Sequence, residues 1–259
     1  MVPKPQSFAC IPRTELRSKE CIDNVLKSLI DYIDIPINGS LTIKDIFHAT
    51  ISMAVDKNSI HSFTKRYDKI PCETSIRYHL KKLDMNDLIG SNEKIMMQKP
   101  IESLKPEKKY EFAIDYTNDP YYGKIDISNE KYVIRGQSKK STNSFYSYVS
   151  LYIINDKERF TISVLPVEKG KSKVEYLSYF IDLIKRLKYK IKIFCLDREF
   201  YSIDVFEFLK TDKIPHIVPV VKKGAKIKQI LSGTKSRYDT YTIKNSKKKI
   251  LLDIVIDVK

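Results

Sequence analysis

Asp115 closes the run EFAID and Asp197 closes IKIFCLD, and two aspartates so placed are the residues of this 259-residue chain best suited to chemistry. EFAIDYT reads as a short strand ending in Asp115. IKIFCLD reads as a nearly continuous apolar strand, of the kind buried on both faces of a sheet, ending at Asp197. If these two strands are neighbours, their carboxylates meet at one edge of the sheet. Such a pair holds hard divalent cations like Mg²⁺, which require oxygen ligands in near-octahedral geometry. Two ions there activate the attacking oxygen and stabilise the leaving oxygen of a phosphodiester displacement. An aspartate at a strand end is, taken alone, more often a turn or cap residue. The joint placement carries the expectation.

The elements that must position these acids follow from periodicity. Beyond EFAIDYT, the runs SFYSYVSLYII and RFTISVLPV alternate as strands, and KVEYLSYFIDLIKRL puts Val174, Leu177, Phe180, Ile181, Ile184 and Leu187 on one helical face. After IKIFCLD, SIDVFEFLK predicts a short helix and HIVPVV another strand. The order β-β-β-α-β-α-β, with later strands crossing over helices, predicts an α/β fold with a mixed sheet covered by helices. The rest of the chain is Lys-rich with alternating patterns, YDTYTIK and ILLDIVIDV.

Ahead of this unit the period is helical. Ile22, Val25, Leu26, Leu29, Ile30 and Ile33 form one apolar face, Pro36 and Gly39 interrupt it, and Thr42 with Asp45 predicts a capped second helix. Ser59 is placed to cap a short third helix, Ile70-Pro71 marks a turn, and Ile76, Leu80 and Leu83 form the buried side of another helix. The exposed side of that helix carries Ser75, Arg77, Tyr78, Lys81 and Lys82, side chains suited to phosphates and base edges, so it is a candidate recognition helix in a helix-turn-helix-like domain. KPIESLKPEKK then reads as a linker, with a domain boundary near Lys109. The expected organisation is a helical DNA-binding domain with its linker over 1–109, a core over 110–222 and a basic, β-rich insertion over 223–259.

Composition points the same way. Forty-seven Lys and Arg against 32 Asp and Glu give a net charge of +15, which favours a polyanionic partner, although a Lys-rich chain also follows from AT-rich coding. Between Lys222 and Lys249 ten Lys or Arg face one acid, Asp239; this stretch, Lys222 and Lys223 included, either tracks a phosphate backbone or is a solvated end. Cys10, Cys21, Cys72 and Cys195 lie far apart, which suggests neither a zinc knuckle nor a disulfide framework and fits a reducing, cytoplasmic setting. No apolar run approaches the ~20 residues of a membrane helix, and MVPKPQS lacks an apolar signal region. Gly170-Lys171-Ser172 has Leu165 where a phosphate-binding loop needs its first glycine, so no nucleotide cofactor is expected.

AIDYTNDPYYG followed by FCLDREFYS resembles the first two acidic motifs of the DDE transposases of prokaryotic, in particular archaeal, insertion sequences, and the likeness extends over roughly residues 60–230. Its most specific part is the second Asp followed by Arg, an aromatic residue and Ser. The resemblance implies an RNase H-like core, Mg²⁺ or Mn²⁺ held by Asp115 and Asp197, Arg198 and Tyr201 as supporting residues near double-stranded DNA, and action as a homodimer on paired transposon ends. The family's third acid is a Glu on a later helix, and this sequence has no Glu after Glu207. The chain is therefore expected to stop inside the insertion, C-terminally truncated, and to be inactive or nearly so alone. Two other readings stay open. One is a remnant that binds DNA or regulates the intact enzyme; the other is a cellular nuclease that draws a further carboxylate from Asp119 or Asp126.

Overall fold

A computed structural model describes residues 18–67, 70–156, 158–222 and 224–258. Lys223, Cys10 and the N-terminal stretch MVPKPQS lie outside them. The chain divides into two compact units, Met1–Ser91 and Asn92–Lys259.

The first unit is helical: α1 (Ser18–Tyr32), α2 (Ile43–Asp56), α3 (Ile60–Arg66) and α4 (Glu73–Leu80). Its core gathers Leu26, Ile33, Ile46, Phe47, Met53, Phe63 and Ile76, whereas Val25, expected on the apolar face of the first helix, is 48% exposed. The expected capping box at α2 forms: the Asp45 amide donates to Thr42 Oγ1 at 3.2 Å, and the Thr42 amide donates to Asp45 Oδ2 at 2.8 Å. Ser59 caps α3, accepting from the Ser62 amide at 3.2 Å.

Helix α5 (Met85–Ser103) contains the division between the units and corrects the linker expectation, since KPIESLKPEKK is helical up to Ser103 with Pro100 inside the helix. Pro100 has no N–H to give, but its carbonyl still accepts from the Leu104 amide at 2.7 Å, so the last turn closes around it.

The second unit is a mixed α/β structure. Its strands are β1 (Lys109–Pro120), β2 (Val133–Lys139), β3 (Thr142–Asn155), β4 (Glu158–Pro166), β5 (Lys190–Leu196) and β6 (His216–Ile217), in the sheet order β2-β3-β1-β5-β6. The outer edge of β3 is shared, its first residues pairing with β2 and Tyr148 onward with β4. β1 is antiparallel to β3 and parallel to β5, and β5 is parallel to β6. Helix α6 (Lys173–Arg186) crosses from β4 to β5 and α7 (Ile203–Thr211) from β5 to β6. Four strands therefore precede α6 where three were expected, and HIVPVV contributes a strand of two residues.

Alternation along β1 divides the site from the core. Tyr110, Phe112 and Ile114 are buried, and Phe112 stacks on Phe194 of β5 with ring centroids 5.9 Å apart. α6 adds Tyr176, Leu177, Phe180, Ile181 and Ile184 to the core, and α7 adds Val205, Phe206 and Leu209. Each such side chain contributes about 1.5–3 kcal/mol on burial. Odd-numbered residues of β1 point to the other face.

The basic tail is ordered over its described residues. Helix α8 (Ala225–Ile230) and the hairpin of β7 (Arg237–Lys244) and β8 (Lys249–Ile256) share a small core of Ile227, Ile254 and Ile256.

Candidate active site

Asp115 and Asp197 are brought together by strand register. The parallel pairing of β1 and β5 ends at Ile114 opposite Leu196, and each acid is the next residue of its chain. The Asp197 amide donates to the Ile114 carbonyl at 3.2 Å, so pairing continues one step into the site. Residues in register share a face, and neighbouring strands run about 4.8 Å apart, so the two carboxylates lie on one side of the sheet at adjacent positions. On its other flank Asp115 is opposite Ser150 of β3. One detail differs from expectation: Asp115 does not end its strand. β1 runs on to Pro120 against β3, and it is the partner β5 that stops.

Both side chains are available for a ligand. Asp115 is exposed and Asp197 half-buried. Asp197 stands at the N-cap of a single 3-10 turn, Arg198–Phe200, yet its side chain makes no capping hydrogen bond. Among the described residues, neither carboxylate has a hydrogen-bond or ion-pair partner. Two unspent carboxylates at adjacent positions, where β5 ends beside β1, fit a hard cation, which takes oxygen donors. Cys195, two residues before Asp197 and on the same face, has its thiol pushed up by burial, so it stays protonated and offers no competing thiolate.

No group of three or more acidic, His or Cys side chains able to hold a metal occurs among the described residues. Asp119 lies four residues further along β1 from Asp115, roughly 13 Å at the rise of a strand. Asp126 is spent in a turn, where its Oδ1 accepts from the Ser128 amide at 2.9 Å. Glu199 is turned to Lys173 of α6, whose ammonium donates to the Glu199 carbonyl and lies 3.3 Å from its carboxylate. This Lys173–Glu199 contact escaped the sequence reading, because nothing local links residues 26 positions apart.

The expected DNA contacts fall into three groups. Arg198 is exposed beside Asp197, whereas Tyr201 turns inward, its ring edge-on to Phe206 at 5.2 Å and its hydroxyl buried without a hydrogen-bond partner among the described residues. On α4, Arg77 is held by Glu73 at 2.9 Å, and Lys82 donates to the Pro36 carbonyl at 2.7 Å while lying 4.3 Å from the centre of the Tyr78 ring. Tyr78, 53% exposed, and Lys81 face outward. Lys222 is exposed just before α8. The Gly170-Lys171-Ser172 stretch is a helix entry: Ser172 caps α6 in a capping box with Glu175, an S-x-x-E signal visible in the sequence but passed over.

No described helix is long and apolar enough to cross a membrane. Residues 106–257 match the family model described as "Transposase DDE domain". No curated protein matches the chain in sequence. Among solved structures, the piggyBac transposase synaptic complex with hairpin DNA is similar at 14% identity and a TM-score of 0.44, over 93% of this chain and 61% of that one. The Drosophila P element transposase strand transfer complex is similar at 11% identity and a TM-score of 0.39, over 76% of this chain and 47% of that one. The Mos1 strand transfer complex is similar at 12% identity and a TM-score of 0.23, over 75% and 63%. The chain thus spans about three fifths of the first of these and about half of the second.

Proposed function

The chain belongs to the transposase DDE domain family, and we propose that it is a DNA transposase in which Asp115 and Asp197 hold the divalent metal for strand cleavage and transfer at transposon ends. The observation that carries this reading is the β1–β5 register, which ends one residue before both acids. Mg²⁺ or Mn²⁺ bound there would activate the attacking oxygen and stabilise the leaving oxygen of a phosphodiester. The protein's own part is to hold two carboxylates at adjacent positions where β5 ends beside β1, with exposed Arg198 alongside for a DNA phosphate.

The rest of the proposal follows the chain. Residues 1–109 bind DNA through the outward face of α4, with Tyr78 and Lys81 toward the duplex and Arg77 and Lys82 bracing the helix. Residues 110–222 form an RNase H-like core, Tyr201 packing behind the acids, and residues 223–259 a basic insertion, with Lys222 and Lys223 at the junction of the two meeting the backbone. The protein works in the cytoplasm as a dimer on paired ends. Because two carboxylates alone hold a hard cation with poor geometric definition, this chain by itself is inactive or nearly so. That same pair, with no third donor among the described residues, also favours a second reading, a non-catalytic form that binds DNA and regulates an intact enzyme.

Titration calorimetry with MnCl₂, beside a nicking assay on transposon-end DNA, tests the assignment. Mn²⁺ should bind the chain and fail to bind Asp115→Asn or Asp197→Asn, with no nicking by any of the three. Unchanged Mn²⁺ affinity in both variants would remove the metal role. Nicking that disappears on Asp197→Asn would overturn the inactivity.

A further inference from the structure

A cavity of about 490 Å³ opens between β1, β2 and the turn that joins β4 to α6. It lies across the sheet from the acid pair. Tyr116, which forms part of its wall, follows Asp115 in an extended strand and so points to the opposite, core face. DNA engaged at Asp115 and Asp197 meets the other face, so the proposed substrate does not account for this cavity. Its floor is apolar and aromatic, made by buried Val133, Val167 and Tyr176.

The rim is cationic. Glu168 is neutralised by Lys131 at 3.0 Å and Lys173 by Glu199 at 3.3 Å. Arg135, Lys169 and Lys171 remain, making no ion pair among the described residues, against Glu130. Gly170, at φ +88°, turns the chain between the two lysines, so that both line the same cavity. Lys171 lies 4.9 Å from the centre of the Tyr176 ring, which holds its charge over the floor. Arg135 donates to the Asn143 amide oxygen at 2.6 Å and keeps further donors of its planar fork for a ligand.

The backbone of the turn narrows the choice of ligand. Lys169 donates its amide to the Lys131 carbonyl at 2.7 Å, Lys171 to the Glu168 carbonyl at 3.2 Å, and Ser172 to Glu175 at 2.7 Å. A bare phosphate held by backbone needs a cradle of free amides, which these three do not offer. A cavity of this size with an apolar floor and a few convergent charges suits a small molecule that has both parts.

We propose that this cavity binds a small organic anion, a planar apolar body with one carboxylate or phosphate head. The body lies on Val133, Val167 and Tyr176, and the head lies between Arg135, Lys169 and Lys171. The site is separate from Asp115 and Asp197 and stands apart from the proposed DNA chemistry.

Fluorescence titration of the full chain with anilinonaphthalene sulfonate, an aromatic body with one negative charge, tests the site. K169A/K171A should weaken binding at least ~tenfold, the scale of a lost charged hydrogen bond. The charge-conserving K169R/K171R should bind as the wild type does, which separates charge from any disturbance of the turn. The control K108A/K109A removes the same charge at the start of β1, about 23 Å along the strand from Tyr116, and should also bind normally. Naphthoate or naphthyl phosphate should displace the probe, the better of the two identifying the head, while naphthol and inorganic phosphate at equal concentration should not. A wild-type chain that does not bind the probe, unchanged binding in K169A/K171A, an equal loss in the control, or displacement by naphthol overturns the site. A random-sequence duplex that displaces the probe and itself binds K169A/K171A more weakly would make the cavity part of a DNA surface, and the small-anion assignment would fall.

Discussion

The amide of Asp197 donates to the carbonyl of Ile114 at 3.2 Å, one residue beyond the last paired positions of β1 and β5. That bond holds two unpartnered carboxylates on neighbouring strands, where their like charges repel. Asp115→Asn and Asp197→Asn should therefore melt in EDTA at or slightly above the wild-type temperature. In MnCl₂ only the wild type should gain stability, because metal that binds the native state shifts unfolding. A melting point more than ~4 °C lower for either variant in EDTA, the scale of about 1 kcal/mol, would mean that the aspartate is structural.

What could be read from the sequence depended on whether the signal was local. Thr42 and Asp45 stand three residues apart, and their capping box was readable. The apolar run IKIFCL announced β5, and the parallel register sets the acid at its end beside the one in EFAID on the neighbouring strand. β2 was missed because VIRGQSK has one buried residue, Val133, then half-buried Ile134 and five exposed positions, so no alternation marks it. β1 was cut short at Asp115 because Asn118 and Asp119 look like a turn. They are strand because β3 pairs with them, the Ser147 hydroxyl donating to Asn118 Oδ1 at 2.5 Å. The inward turn of Tyr201 and the partners of Arg77 and Lys82 depend on contacts whose other half lies elsewhere in the chain or on the neighbouring turn.

Glu93 of α5 is a latch. Its Oε1 accepts from the Ser163 hydroxyl at 2.7 Å and from the Tyr179 hydroxyl at 2.9 Å, tying the helix to β4 and α6. Ser163 is fully buried, so Glu93→Ala strands its hydroxyl and should cost about 1–3 kcal/mol in urea unfolding. Glu93→Gln keeps an acceptor and should cost less. Adding Ser163→Ala to Glu93→Ala should recover part of the loss, and strict additivity would mean that the two side chains are not coupled.

The α3–α4 pair carries a pH signature. Glu73 accepts from His61 at 2.8 Å and from Arg77 at 2.9 Å, and these bonds, His61 first, hold its carboxyl below the ordinary value of 4.5. A depressed carboxyl contributes stability that is present above its unfolded value and is lost as pH falls through the lower folded value. Helicity of the first unit should hold from neutral pH down to about 4.5 and weaken below it. Glu73→Gln should flatten that acid limb in a circular-dichroism titration. An unchanged limb would assign it to other carboxylates.

The β7–β8 hairpin offers a choice between charge and packing. Lys248 reaches Glu207 at 2.5 Å and Asp204 at 3.3 Å on α7, but all three side chains are largely exposed, and exposed pairs contribute little. Ile254 is 3% exposed in the cluster with Ile227 and Ile256. Packing should therefore dominate. Ile254→Ala should speed hydrogen exchange across β7 and β8 by an amount equivalent to about 2–5 kcal/mol, with the amides of β1 and β5 unaffected. Lys248→Ala, or raising salt to about 1 M, where screening acts within ~3 Å, should leave the hairpin's exchange unchanged. The reverse pattern would make the hairpin an electrostatically docked arm, whose seating would then depend on the phosphate charge of any DNA brought against it.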